Sequence, residues 1–343
     1  MVNTSMHAPR TQTTESESLA PMSDAELRVE FERQQALRDA RPVRVIKSVL
    51  EVLEQLEAID DVRLESDGAP VATESELTTG ALEDLFANRT CALRVPGFVD
   101  PRTCKELARW LSERPLKTWG GTDTSYGAGI PVNALSWSLE HALGYFHEAL
   151  PSARALRNAC TAGLTPVDKL RLELDELWST GANVSSDNPY RRKMLVGLAR
   201  VMRPEGLLDG LSRLEGIVHT DSSLLIDARR GSFSANAYLK VPASGGELNI
   251  FPLAMNQPER VKSLVTVIAY LLQHSFDGPH RDRVQRQLHA LLPAPVTLRP
   301  RAGDLIILNT GRPHAVRGFV RGTRVSLQTF VRHCAGRPLQ LFS

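Results

Sequence analysis

Residues 216–225 read GIVHTDSSLL, with a histidine and an aspartate two positions apart in an apolar, strand-like run. Residues i and i+2 of a strand project from one face, so His219 and Asp221 point together. Two ligands on one face do not close a metal site, and the third must come from another strand. NTGRPHAVRGFV supplies His314 just ahead of a new apolar run. Two imidazoles and one carboxylate on one side of a metal leave three positions open, an arrangement that suits non-haem Fe(II). The same ligands alone also admit Zn or Ni, or a set that is merely hydrogen-bonded. Ten residues beyond His314 stands Arg324, and Ser326 follows on the same face of RGTRVSLQTF. A guanidinium beside a hydroxyl reads a carboxylate through bidentate, charge-assisted contacts. The pair could therefore grip the far end of a short dicarboxylate chelated to the metal.

Positioning these groups requires strands, and the chain supplies them from about residue 194. Short apolar segments (MLVGLARVM, SANAYLKV, GGELNIF, PVTLRP, DLIILN, HAVRGFV, RVSLQTFV) alternate with Gly, Pro and Asp turns, an all-β texture. A segment of helical character, about 257–291, interrupts it, and its His280 and His289 read as surface residues. Upstream the pattern is helical. Residues 1–22 form a polar tail expected to be disordered, and residues 23–88 a helical segment and linker. In the latter, Ser23 and Glu26 form a capping box, Pro42 ends the first helix, and Val45, Val49, Leu53 and Leu56 make an apolar stripe. The stripe suits packing on the main domain or on a second copy, so a homodimer is compatible with it. The main domain is expected over 89–343, with CALRVPGFVD as a strand and a helix capped by Asp100. The Gly-rich stretch 117–133 reads as a flexible loop, with an active-site lid as the functional alternative. Its Trp119 and Tyr126 suit either pocket lining or packing. Residues 135–180 read as helical with a break near 163–166, and His141 and His147, six apart, as incidental.

Bulk properties narrow the function. The 343 residues carry 41 Lys and Arg against 39 Asp and Glu, a balance unlike that of a dedicated nucleic-acid or anionic-membrane binder. The short basic runs at 191–193 and 229–230 read as solvated surface. Four scattered cysteines, without CxxC spacing, read as reduced thiols. No apolar stretch approaches the ~20 residues that span a bilayer, and the polar start lacks a signal-peptide core. The expectation is a cytoplasmic protein.

The ordered set His219-Thr-Asp221, AYLKVPASGGELNIF, LRPRAGDLIILN, PHAV and Arg324-Val-Ser326 resembles the Fe(II)/2-oxoglutarate-dependent dioxygenases. The likeness is to the branch holding prolyl 4-hydroxylase-like enzymes and small-molecule-tailoring relatives. It covers roughly 89–333. It implies a mostly β core with flanking helices, a double-stranded β-helix (jelly-roll, cupin-like) preceded by an N-terminal helical region. It further implies His219, Asp221 and His314 as iron ligands, Arg324 as the clamp on the distal carboxylate of 2-oxoglutarate, and Ser326 as its hydroxyl helper. Gly245-Gly246 would precede the strand that packs Leu248 near the co-substrate, and Gly303-Asp304 the strand leading to His314. Relatives often carry a tyrosine that contacts 2-oxoglutarate, either upstream of the HxD, where ARVMRPEG has none, or just before the YL pair, where this chain has Ala237. With the strand shifted by one, Asn236 would take that contact, a structural role being its plainer alternative.

The implied activity uses Fe(II), O2 and 2-oxoglutarate and releases succinate and CO2. Related halogenases lack the carboxylate, so Asp221 favours hydroxylation, desaturation or cyclisation. The substrate class stays open between a small molecule, such as an amino acid or natural-product intermediate, and a protein side chain. A closed pocket covered by the insertion and N-terminal helices favours the former. A cupin-like binding protein without catalysis is the competing class, and degeneration of the triad or clamp would be its mark.

Overall fold

The computed structural model describes residues 20–40, 64–115, 117–119, 122–127, 135, 138–161, 163–204, 215–221, 229–253 and 278–343. Its helices are α1 (Asp24–Asp39), α2 (Thr79–Phe86), α3 (Pro101–Ser112), α4 (Leu139–Ala159), α5 (Pro166–Leu177) and α6 (Gly278–Leu291). The strands in the first half are β1 (Val71–Thr73), β2 (Ala92–Val95), β3 (Lys117–Trp119), β4 (Thr122–Gly127) and β5 (Ala182–Val184). Then come β6 (Leu198–Met202), β7 (Arg230–Lys240), β8 (Leu248–Ile250), β9 (Val296–Leu298), β10 (Leu305–Asn309), β11 (His314–Val316), β12 (Arg324–Cys334) and β13 (Leu339–Phe342).

A ten-stranded sheet runs β1-β2-β10-β7-β12-β6-β4-β3, with β13 joining β12 to β5, and a three-stranded sheet runs β11-β8-β9. An isolated bridge between His219 and His314 adds the HxD segment to the smaller sheet. From β6 onward the chain crosses to this bridge and returns to the large sheet at β7. It then passes through β8 and β9, back to β10, out to β11 and home to β12. That alternation between two mainly antiparallel sheets is a double-stranded β-helix, the jelly-roll variant.

Period-2 alternation gives the long strands two faces. Phe233, Ala235, Ala237 and Leu239 of β7 and Val325, Leu327 and Val331 of β12 face outward. There they join Leu82, Leu85, Leu107, Leu111, Leu170 and Leu174 of the covering helices in one buried cluster. The opposite face looks into the space between the sheets, where Tyr238, Ile306 and Leu308 meet Leu248, Ile250 and Leu298. The rest of that inner face is polar yet buried: Ser234, Asn236, Arg324, Ser326 and Gln328. Burying so many polar groups is costly unless they are hydrogen-bonded or serve a ligand.

The helices start where their caps say. Ser23 and Glu26 close the capping box of α1, and Asp100 caps α3 with Pro101 at its first position. Leu27 and Phe31 dock α1 on Ala142 and Tyr190. Arg192 reaches Met22 O at 2.7 Å and Asp24 at 2.6 Å, so this basic run ties down α1 and is not simply solvated.

Two further expectations need correction. The sheet begins before residue 89: β1 pairs in parallel with β2, and α2 adds Leu82, Leu85 and Phe86 to the core. A three-residue strand is too short to show alternation, so its neighbourhood reads as linker. The stretch 117–133 contains β3 and β4, and β4 pairs with β6. Its glycines mask two short strands at one end of the sheet. Residues 1–19 of the expected tail, the stripe at 45–56 and residues 257–277 of the insertion lie outside the described residues. Among the described residues no helix is long and apolar enough to cross a membrane, and Cys91, Cys104, Cys160 and Cys334 are free thiols.

Candidate metal centre

His219 and His314 face each other because their strands pair: His219 N–H donates to His314 O at 3.0 Å, and His314 N–H to His219 O at 2.9 Å. The imidazole centroids stand 4.4 Å apart. Gly216, at φ +77°, precedes this segment, and any Cβ there would collide with the Val316 carbonyl of β11. Only glycine lets the two backbones approach so closely. Asp221 is held from behind, its N–H donating to Thr310 O at 3.1 Å.

Both histidines have one ring nitrogen committed. Nδ1 of His219 lies 2.9 Å from Ile217 O, and Nδ1 of His314 lies 2.9 Å from Arg312 O. A carbonyl only accepts, so each Nδ1 carries the proton and each Nε2 keeps its lone pair for a metal. Those Nε2 atoms converge on Asp221, His219 at 3.6 Å from Oδ1 and His314 at 3.5 Å from Oδ2. Ligand atoms of all three lie within 4.8 Å of one another. An N2O donor set on one side, with its tautomers fixed by backbone carbonyls, fits a divalent first-row metal and suits Fe(II).

The electrostatics agree. Burial, helped by the charge of His314, presses His219 down to about 4, so it is neutral at pH 7. For His314 burial acts the same way, but the hydrogen bond and charge of Asp221 outweigh it and raise the group above its ordinary value. Burial would raise Asp221 as well; its hydrogen bond to His314 and the surrounding positive charges win and hold it far below the usual carboxylate range.

Arg324 lies on the inner face and is 5% exposed. Its Nη2 donates to Tyr238 Oη at 3.0 Å, and Nη1 lies 3.3 Å from Met202 Sδ. Ser326 pairs across the sheet with both Tyr238 and Arg200, and cross-strand partners share a face. Arg200 therefore also looks inward, its Nη1 3.4 Å from Gln328 Oε1. Its own pKa is lowered to about 10 by burial and by the charge of Arg324. Its charge also bears on His219, Asp221 and His314.

Asn236 faces the same interior. It pairs with Gln328, two residues along from the Ser326 pair, and its amide donates to Ser234 Oγ at 3.0 Å. The tyrosine that meets Arg324 is Tyr238, the Y of the YL pair, while Ala237 packs in the outer core. Parity carried this signal: if Asn236 faces inward, so does Tyr238. Asp304 holds the turn behind it, its carbonyl accepting from Tyr238 N–H at 2.9 Å and its carboxylate pairing with Arg94 at 2.7 Å. The sequence reading also missed Arg312, fully buried two residues before His314 and paired with Asp67 at 2.7 Å. Asp67 sits in the stretch read as linker, so nothing local announces that contact.

No protein-family model and no curated protein sequence matches the chain. Solved structures do match. One is an N-substituted L-amino acid dioxygenase from Burkholderia ambifaria AMMD in complex with alpha-ketoglutarate; identity is 16%, coverage 77% of this chain and 91% of that one, and TM-score 0.46. A prolyl 4-hydroxylase from Pseudomonas putida is 17% identical over 76% of this chain and 100% of its own, at TM-score 0.34. A 2OG-Fe(II) oxygenase-family oxidoreductase from Burkholderia pseudomallei is 14% identical over 79% and 98%, at TM-score 0.38. At these identities and scores, the chemistry of this chain rests on its own side chains.

Proposed function

We propose that this chain is a non-haem Fe(II)- and 2-oxoglutarate-dependent dioxygenase that hydroxylates, desaturates or cyclises a small molecule. The observation that supports this best is the meeting, in one barrel interior, of a two-histidine, one-carboxylate set and a buried arginine. His219, Asp221 and His314 would hold the iron through Nε2, a carboxylate oxygen and Nε2. When bound, the iron with O2 and 2-oxoglutarate supplies the oxidising power that breaks an unactivated C–H bond, leaving succinate and CO2.

The protein's own part is binding and placement. Arg324 would take the distal carboxylate of 2-oxoglutarate, with the Tyr238 hydroxyl, 3.0 Å from its Nη2, and Ser326 completing a polar cradle. Leu248, Ile250 and Leu308 wall the neighbouring space and keep water from it. Because Nδ1 of both histidines donates to carbonyls, neither ring rotates away as ligands exchange. Arg324 and His314 are buried inside the barrel, while His219 and Asp221 stand at its more exposed end; a site reached from one end favours a small molecule, an amino acid or natural-product intermediate, over a protein side chain. Four free thiols suit a reducing compartment, and we read the protein as cytoplasmic.

The test is aerobic incubation of iron-loaded protein with 2-oxoglutarate and two substrate panels, one of small amino and carboxylic acids and one of peptides. Succinate should accumulate with a member of the first panel, and not in His219→Ala. No succinate with either panel, in protein shown to bind both iron and 2-oxoglutarate, would contradict an oxygenase. Stimulation by peptides alone would overturn the small-molecule reading.

A further inference from the structure

The segment that carries His219 is a strand with one partner. His219 spends both its N–H and its C=O on His314. In an antiparallel ladder the next residue back, Val218, must point its own pair the opposite way. Val218 is 1% exposed, so those two groups cannot turn to water. Left unmet they would cost the segment its conformation.

Gln285 meets both. Its Oε1 accepts from Val218 N–H at 2.8 Å, and its Nε2 donates to Val218 O at 3.3 Å. A carboxamide offers the same donor and acceptor as a peptide unit, so this one side chain replaces a neighbouring strand. Gln285 is 3% exposed, and its helix α6 is anchored by Val284 and Leu288, both fully buried. The clamped residue sits between Ile217, whose carbonyl holds the His219 ring, and His219 itself. A shift at Val218 therefore moves the ligand and the group that orients it.

We infer that Gln285 is a positioning residue for His219, and that its paired hydrogen bonds to Val218 set the affinity of the triad for its metal. This rests on reading the triad as a metal centre. The brace differs in kind from the carbonyl contacts of the two rings, because it arrives from 67 residues away in sequence on a helix outside both sheets.

The experiment uses Co(II), whose visible bands report ligand geometry, titrated into metal-free wild type, Gln285→Met and Val284→Ala, with melting temperatures measured in parallel. Gln285→Met keeps the volume and loses both hydrogen bonds. It should bind Co(II) about tenfold more weakly and with shifted bands. Val284→Ala loosens the same helix without touching the amide; it should lower the melting temperature while leaving the affinity within about twofold and the bands in place. Affinity and bands unchanged in Gln285→Met, or lost equally in Val284→Ala, would overturn the inference alone. A wild-type protein that binds no Co(II) would overturn the metal-centre reading and this inference with it.

Discussion

One strand shows two different uses of burial. On the outer face of β7, Phe233, Ala235, Ala237 and Leu239 pack under helices, where any well-shaped apolar side chain would serve. On its inner face Ser234, Asn236 and Tyr238 lie equally buried, yet each carries a polar atom that must be answered. The outer face holds the fold together, and the inner face holds a charged, hydrogen-bonded interior ready for a ligand. Substitutions on the two faces should therefore separate stability from binding.

The largest separation is expected at the core. Leu107→Ala, on the helix covering the outer face, removes a fully buried side chain and should cost about 3 kcal/mol of folding stability. Denaturant unfolding reads that loss, while 2-oxoglutarate affinity of the folded fraction should not move. Arg324→Met inverts the pattern. Loss of a charge-assisted, bidentate contact should weaken 2-oxoglutarate binding by about a hundredfold, measured by calorimetry on the metal-loaded protein. Removal of its buried charge should leave the melting temperature close to wild type.

The pH dependence probes the triad more finely. Metal competes with protons, so both imidazoles must be neutral to bind it. His219, pressed down to about 4, is already neutral, whereas His314 is raised by Asp221 and is protonated first as pH falls. Metal affinity should thus begin to fall at a pH above the ordinary histidine value of about 6.5, by up to about tenfold per pH unit. A titration flat down to pH 5.5 would remove His314 from the ligand set. The smallest effect is expected at Tyr238→Phe, where one hydrogen bond to Arg324 is lost. Co-substrate affinity should drop about fivefold, in line with about 1 kcal/mol for such a contact.

Legibility in the sequence followed the range of the interactions. His219 and Asp221, or Arg324 and Ser326, are two residues apart, and a strand's period alone puts each pair on one face. The long strands β7 and β12 announce themselves by their apolar content and bounding turns. Tyr238 needed one further step, the parity of β7 relative to the interior, and a one-residue slip exchanges its face with that of Ala237. Arg200 hides because a lone arginine in LARVM looks like surface until its partner strand is known. Gln285 and Arg312 act across distances no local pattern spans; Asp67 reaches Arg312 from a stretch that reads as linker. Short strands such as β1 and β3, of three residues each, hold too few residues to display a period.

The central claim is that one cavity binds a metal at His219, Asp221 and His314 and a dicarboxylate at Arg324. Anaerobic titration of Fe(II)-loaded protein with 2-oxoglutarate tests it most directly, through the weak visible metal-to-ligand charge-transfer band of the chelate. The band should grow with 2-oxoglutarate in wild type, disappear in His219→Ala, and require far more co-substrate in Arg324→Met. Iron-loaded wild type that develops no band at saturating 2-oxoglutarate would contradict the account and leave the barrel as a binding site for some other ligand.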